Sequence, residues 1–133
     1  MKTINQYVKE AHQNAISKGW WEEDRSFGEL IALMHSELSE ALEDYRNGYK
    51  PTESYYEYKN VHFTEREKEN ALNQYFWVND AEFKLCGIPS ELADVVIRIF
   101  DTCGRYGIDL EKAIAEKMAY NATRPHKHGG KVI

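Results

Sequence analysis

Two pairs of acidic residues have the type and spacing to hold a cation: Glu37-Leu38-Ser39-Glu40 and Glu91-Leu92-Ala93-Asp94. Each lies inside an apolar stretch of helical character. On a helix, residues i and i+3 have Cβ atoms about 5–6 Å apart, so each pair offers two carboxylates from one side. Two such pairs facing one another would present oxygen donors only, the set that hard cations such as Mg²⁺ prefer. A cation held in this way points to phosphate chemistry.

Most other acids, among them Glu22, Glu23, Glu53, Glu57, Glu65, Glu67 and Glu69, read as solvated surface. Glu37 differs. Its helical neighbours Leu33, Met34 and Ala41 place it on the apolar stripe or at its edge. A lone buried carboxylate is costly unless it is paired or bound to metal. Glu91 and Asp94 flank Val95 in the same manner. Arg98, four residues after Asp94, offers a plain i,i+4 ion pair instead. Spacing alone leaves both readings open.

The elements that must position these acids are helical. Thr3 with Gln6 forms a capping-box signal and Gly19 a stop, which predicts a helix over 4–18. Ser26 with Glu29 starts a second, 27–47, ended by Gly48. Pro89 and Ser90 open a third strong helix running to Gly107. The apolar spacing 92, 95, 96, 99, 100, 103 follows the helical period and overrides a local strand reading of Val95-Val96-Ile97. Asp109 N-caps a last helix, 110–121. Between the second and third strong helices, residues 49–87 hold nine of the seventeen aromatics. Thr64 with Glu67 predicts a short helix there, 65–78. So many aromatics argue against disorder.

With 133 residues, the chain suits a single domain, 1–133. Apolar content of 42% and charged content of 29% are those of a soluble globular protein. No apolar run approaches a membrane span and no signal-type segment opens the chain, so a cytoplasmic protein with no membrane partner is expected. Cys86 and Cys103 read as free thiols, Cys103 as a small core residue. Residues 117–133 carry four Lys/Arg and no acid, so the preceding 116 carry −9, four more negative than the whole chain's −5. An acidic body excludes general nucleic-acid binding, which needs a basic face. A basic tail, 122–133, beside an acidic site suits a polyphosphate that arrives with metal ions. His126 and His128 read as solvated rather than as metal ligands. The broad apolar arc of the second helix predicts a homo-oligomer.

The run from His35 to Glu43, the run Gly87-Ile88-Pro89-Ser90-Glu91-Leu92-Ala93-Asp94-Val95-Val96-Ile97-Arg98, and the ending Lys117-Met118-Ala119-Tyr120-Asn121-Ala122-Thr123-Arg124-Pro125 with His128-Gly129-Gly130-Lys131 together resemble the MazG-like family. These are all-α nucleoside triphosphate pyrophosphohydrolases with a Glu-x-x-Glu and a later Glu-x-x-Asp signature. The resemblance covers most of 1–48 and 87–131. It implies an all-α fold, a four-helix core with 49–87 as an aromatic-rich insertion between the second and third core helices. It implies that Glu37, Glu40, Glu91 and Asp94 are both catalytic residues and ligands of Mg²⁺, with Mn²⁺ as a substitute. The implied reaction is hydrolysis of a (d)NTP to the (d)NMP and pyrophosphate by metal-activated water, in a nucleotide-pool house-cleaning role. Lys117, Asn121, Arg124 and Lys131 would contact the triphosphate, and Trp20 would stack on the base. A homodimer or homotetramer is expected.

Fifty residues separate Glu40 from Glu91, longer than the family's usual connection. Alternatives are a dUTPase-like or phosphoribosyl-ATP pyrophosphohydrolase of the same fold group, and a non-catalytic helical metal-binding or interaction module. A helical di-iron protein would need Glu-x-x-His pairs, and the chain has none.

Overall fold

The computed structural model describes residues 1–125, which form five α-helices and a three-stranded antiparallel sheet. The fold is therefore mixed α/β, and the expectation of an all-α chain with a four-helix core is corrected. The helices fall close to their expected places: α1 Ile4–Ser17, α2 Phe27–Arg46, α3 Glu65–Gln74, α4 Ile88–Tyr106 and α5 Leu110–Ala122. The correction lies in 49–87, which also folds into β1 (Ser54–Tyr58), β2 (Val61–Phe63) and β3 (Lys84–Gly87) in the order β2-β1-β3. Lys59 and Asn60, both with positive φ (48° and 64°), make the tight turn of the β1–β2 hairpin.

The chain divides into two compact units, Ser26–Val96 and the remainder, with α4 shared between them. In Ser26–Val96, the Ser26 hydroxyl accepts from the Glu29 N–H (3.1 Å) and starts α2. The sheet carries aromatic side chains on both of its faces. On one side Tyr58 stacks on Phe83 (4.8 Å between centroids) and Phe63 meets Phe83 edge-on (5.4 Å). Lys68 of α3 lies over Tyr56 (4.2 Å) and bonds Asp80 (2.7 Å), fastening α3 to that side. On the other side Tyr55 packs against Tyr49 and His62, at 4.3 and 4.6 Å. Both sides are covered by aromatics, which the sheet needs because its short strands make few ladder bonds.

The other unit joins α1, the second half of α4 and α5. A complete capping box of Thr3 and Gln6 opens α1. The Asp109 carboxylate caps α5 by accepting from the Lys112 N–H (3.1 Å) and also accepts from the Asn5 amide (2.8 Å), tying α5 to α1. Buried Asp101 accepts from the indole N–H of Trp21 (2.9 Å) and bonds Nδ1 of His12 (2.7 Å). Here α1 and α4 touch closely: a Cβ on Gly104 would lie 2.5 Å from Cβ of His12. Gly104→Ala must push the helices apart or displace His12. The expected cost is about 1–3 kcal/mol, read as a lowered urea midpoint with an unchanged m-value. A midpoint equal to the wild type's contradicts the close crossing.

Candidate metal centre

All four acids singled out from the sequence fall within Ser26–Val96. Glu37 is on the inner face of α2, on the line Leu30, Leu33, Met34, Glu37, Ala41, Asp44 that is buried or half-buried along its length. Glu40, one turn on, is exposed. Glu91 stands in the first turn of α4, between Ile88 and Val95, and like both of them it is buried. Oxygen atoms of Glu37, Glu40 and Glu91 all lie within 4.8 Å of one another. Asp94 is exposed and is not part of this close group, although its charge acts on Glu91.

The electrostatics of Glu91 are unusual. Its carboxyl is pushed up to about 7 by burial first, then by a hydrogen bond with Glu40, then by the charges of Glu40, Asp94 and Glu37. Glu91 is only 8% exposed. Its Oε2 is the one buried side-chain polar atom without a hydrogen-bond partner among the described residues. A shift from 4.5 to about 7 corresponds to about 3 kcal/mol in favour of the protonated form. The helix N-terminus favours the charge by only ~0.3–1 kcal/mol, so burial and repulsion win. A buried carboxylate oxygen without a partner, beside two further carboxylates, fits a cation-binding role. Two oxygens bound to one Mg²⁺ at ~2.1 Å would stand at most ~4.2 Å apart, and the carboxylate oxygens here lie within 4.8 Å. The donor set is all carboxylate oxygen, which suits Mg²⁺ or Mn²⁺.

Of the remaining candidates, Lys117 and Asn121 are exposed on α5, and Arg124 lies just past its end. Lys117 and Arg124 gather on Tyr120: the ammonium is 5.0 Å from the ring centroid, and the Arg124 guanidinium donates to the Tyr120 hydroxyl at 3.2 Å. Trp20 carries the guanidinium of Arg25 at 3.7 Å from its ring centroid and that of Arg98 at 5.0 Å. Lys131, His126 and His128 lie outside the described residues. Cys86 and Cys103 are free and buried, and burial pushes both thiols up. They are therefore protonated and poorly nucleophilic.

One residue of this neighbourhood escaped sequence reasoning. Asp44 is buried on α2 and accepts a 2.8 Å hydrogen bond from the Tyr55 hydroxyl. The signal for it was available: an acid three residues after Ala41 continues the buried line that also carries Glu37. No family model, curated protein or solved structure matches this chain.

Linkage fixes the sign of a pH effect. A carboxyl with its folded pKa raised stabilises the fold fully below its ordinary value, and that stability is lost as pH rises through the folded value. Metal-free protein should therefore lose stability between about pH 4.5 and 7 on account of Glu91. At pH 8 without divalent cations, Glu91→Gln should melt higher than wild type by about 1–2 kcal/mol, a shift of several degrees. Calorimetry checks this, and a lower-melting Glu91→Gln at pH 8 contradicts it.

Proposed function

We propose that the chain is a Mg²⁺-dependent nucleoside triphosphate pyrophosphohydrolase that converts a (d)NTP to the (d)NMP and pyrophosphate. The observation that carries this reading is the convergence of Glu37, Glu40 and Glu91 within 4.8 Å around a buried, unpartnered oxygen of Glu91. The resemblance of the two acidic pairs and the carboxy-terminal segment to the MazG-like family adds the reaction class. Glu37, Glu40 and Glu91 would hold the cation, with Asp94 completing the acidic side. A bound divalent cation supplies neutralising charge for phosphate oxygens and makes a coordinated water more acidic. The protein's own part is to keep several carboxylates pointed at one spot. A bound cation would favour the ionised form of Glu91 and would give Oε2 the partner it lacks. Lys117, Asn121, Arg124 and Lys131 as triphosphate contacts, Trp20 as base platform and a cytoplasmic location belong to the same proposal. No helix of the described residues is long and apolar enough to cross a membrane.

The functional form is proposed to be a homo-oligomer, at least a dimer. Phe27, Ile31, Leu38, Leu42 and Tyr45 of α2 are 36–63% exposed. With half-buried Met34 they recur every three or four residues along the whole 20-residue helix. Leu92 and Val96 of α4 are likewise exposed. A stripe of this spacing is a helix-packing seam, and a second copy, related by a two-fold axis, supplies the same stripe to cover it.

Pyrophosphate release measured over canonical and modified nucleoside triphosphates should require Mg²⁺ or Mn²⁺. Glu40→Gln should lower kcat/KM by at least about 100-fold, because it removes a charge from the cation's ligand set. Mg²⁺ should also raise the melting temperature of wild type but not of Glu40→Gln. A melting shift without pyrophosphate from any nucleotide would instead identify a metal-binding module. The absence of both effects refutes the reading. Light scattering should give at least twice the 15.5 kDa chain mass, and the double substitution Leu38→Glu with Leu42→Glu should reduce it. A wild-type mass of 15.5 kDa contradicts the oligomer.

A further inference from the structure

The two acid-bearing segments are far apart in sequence, and within Ser26–Val96 Tyr55 links the strand that leads into α4 to helix α2. Tyr55, at the second position of β1, is 9% exposed. Its hydroxyl donates to Oδ1 of buried Asp44 at 2.8 Å. Asp44 lies on α2 one helical turn beyond Glu40. The backbone of Tyr55 is paired with Cys86 of β3. Strand β3 ends at Gly87 and α4 begins at Ile88 with no intervening residue, so Glu91 follows the Tyr55–Cys86 pair by five residues. One residue thus grips α2 through its side chain and the start of α4 through its backbone.

The surroundings hold Tyr55 in place. Its ring stacks on Tyr49 with centroids 4.3 Å apart and an interplanar angle of 11°, and it meets His62 at 4.6 Å. The Tyr49 hydroxyl bonds Nδ1 of His62 at 2.6 Å, and Nε2 of His62 lies 3.4 Å from the Glu57 carboxylate. At the junction of β3 and α4, Gly87 has φ +113°, and a Cβ there would come within 2.5 Å of the Glu53 carbonyl oxygen. Strand β1 therefore presses directly on the point where α4 starts. The thiol of Cys86 feels the charges of both Glu91 and Asp44, so these groups share one small region.

We infer that Tyr55 is a positioning residue of the cation site: its bond to Asp44 and its pairing with Cys86 set α2 and the first turns of α4 at the separation that brings Glu37, Glu40 and Glu91 together. The inference rests on the proposed cation site for its function and on the hydrogen bond and strand register for its mechanism. It also gives the aromatic segment a role, as the brace that the long connection between the two acidic pairs requires. Groups that orient metal ligands without touching the metal can matter nearly as much as the ligands themselves.

Three variants of the full chain test it. Tyr55→Phe keeps the ring and its stacking and removes only the hydroxyl. Tyr49→Phe removes a neighbouring hydroxyl that bonds His62 and not Asp44. Asp44→Asn keeps an oxygen that accepts from Tyr55. Titration calorimetry with Mn²⁺ should show binding weakened about 10-fold in Tyr55→Phe, and near wild-type binding in Tyr49→Phe and Asp44→Asn. Hydrogen–deuterium exchange of metal-free protein should be faster over residues 84–96 in Tyr55→Phe alone. Unchanged exchange there, or Mn²⁺ affinity equal to that of a binding wild type, overturns the inference. Loss of Mn²⁺ binding in Asp44→Asn also overturns it, because Asp44 would then act through its charge. If the wild type itself does not bind Mn²⁺, the cation site fails, while the exchange arm still decides whether Tyr55 braces α4.

Discussion

The structure of Ser26–Val96 is governed by the repulsion of carboxylates that the fold forces together. Two charges 4.8 Å apart repel by about 3 kcal/mol at an effective dielectric constant of ~20, and Glu37, Glu40 and Glu91 lie within that distance. Nothing in the local helix preferences requires the arrangement. Glu37 and Glu91 would be better solvated on the opposite faces of their helices. Burial, a hydrogen bond with Glu40 and the neighbouring charges push the Glu91 carboxyl up to about 7, and its Oε2 has no hydrogen-bond partner among the described residues. A divalent cation would relieve the repulsion, because it would answer all three charges at once.

Such an arrangement is maintained only if the elements carrying it cannot drift apart. Helix α2 is fixed at its start by the Ser26 cap, and its inner face carries Leu30, Glu37, Ala41 and Asp44 in register. Helix α4 has no free beginning, because its backbone grows directly out of β3. The sheet is thus part of the positioning apparatus and not an ornament on a helical core. Its aromatic cover, Tyr58, Phe63 and Phe83 on one side and Tyr49, Tyr55 and His62 on the other, makes up for strands of only three to five residues.

The helices were legible because their boundaries are written in local chemistry. Thr3, Ser26, Thr64 and Asp109 all cap as their side chains allow, and the observed helices begin directly after them. The sheet was not legible. Tyr55-Tyr56-Glu57-Tyr58 puts aromatics on both faces, so the alternation that marks a half-buried strand is blurred. The hairpin turn is Lys59-Asn60, which lacks the glycine that usually signals such a turn. In the site, Glu37 and Glu91 stand out as acids on apolar helical lines, and Glu40 through its three-residue spacing from Glu37. Asp94 shares the spacing but not the burial, since it lies a turn beyond Glu91 and faces solvent. Asp44 was legible in principle, but its partner Tyr55 comes from a strand that the sequence did not disclose.

The central claim is that Glu37, Glu40 and Glu91 are the ligands of one divalent-cation site. A crystal grown with Mn²⁺ and measured for anomalous scattering addresses it directly. The account predicts an anomalous peak bonded to carboxylate oxygens of all three residues, with Glu91 Oε2 among them. A Mn²⁺-containing crystal with no peak between these carboxylates, and Glu91 still paired with Glu40 alone, would contradict it.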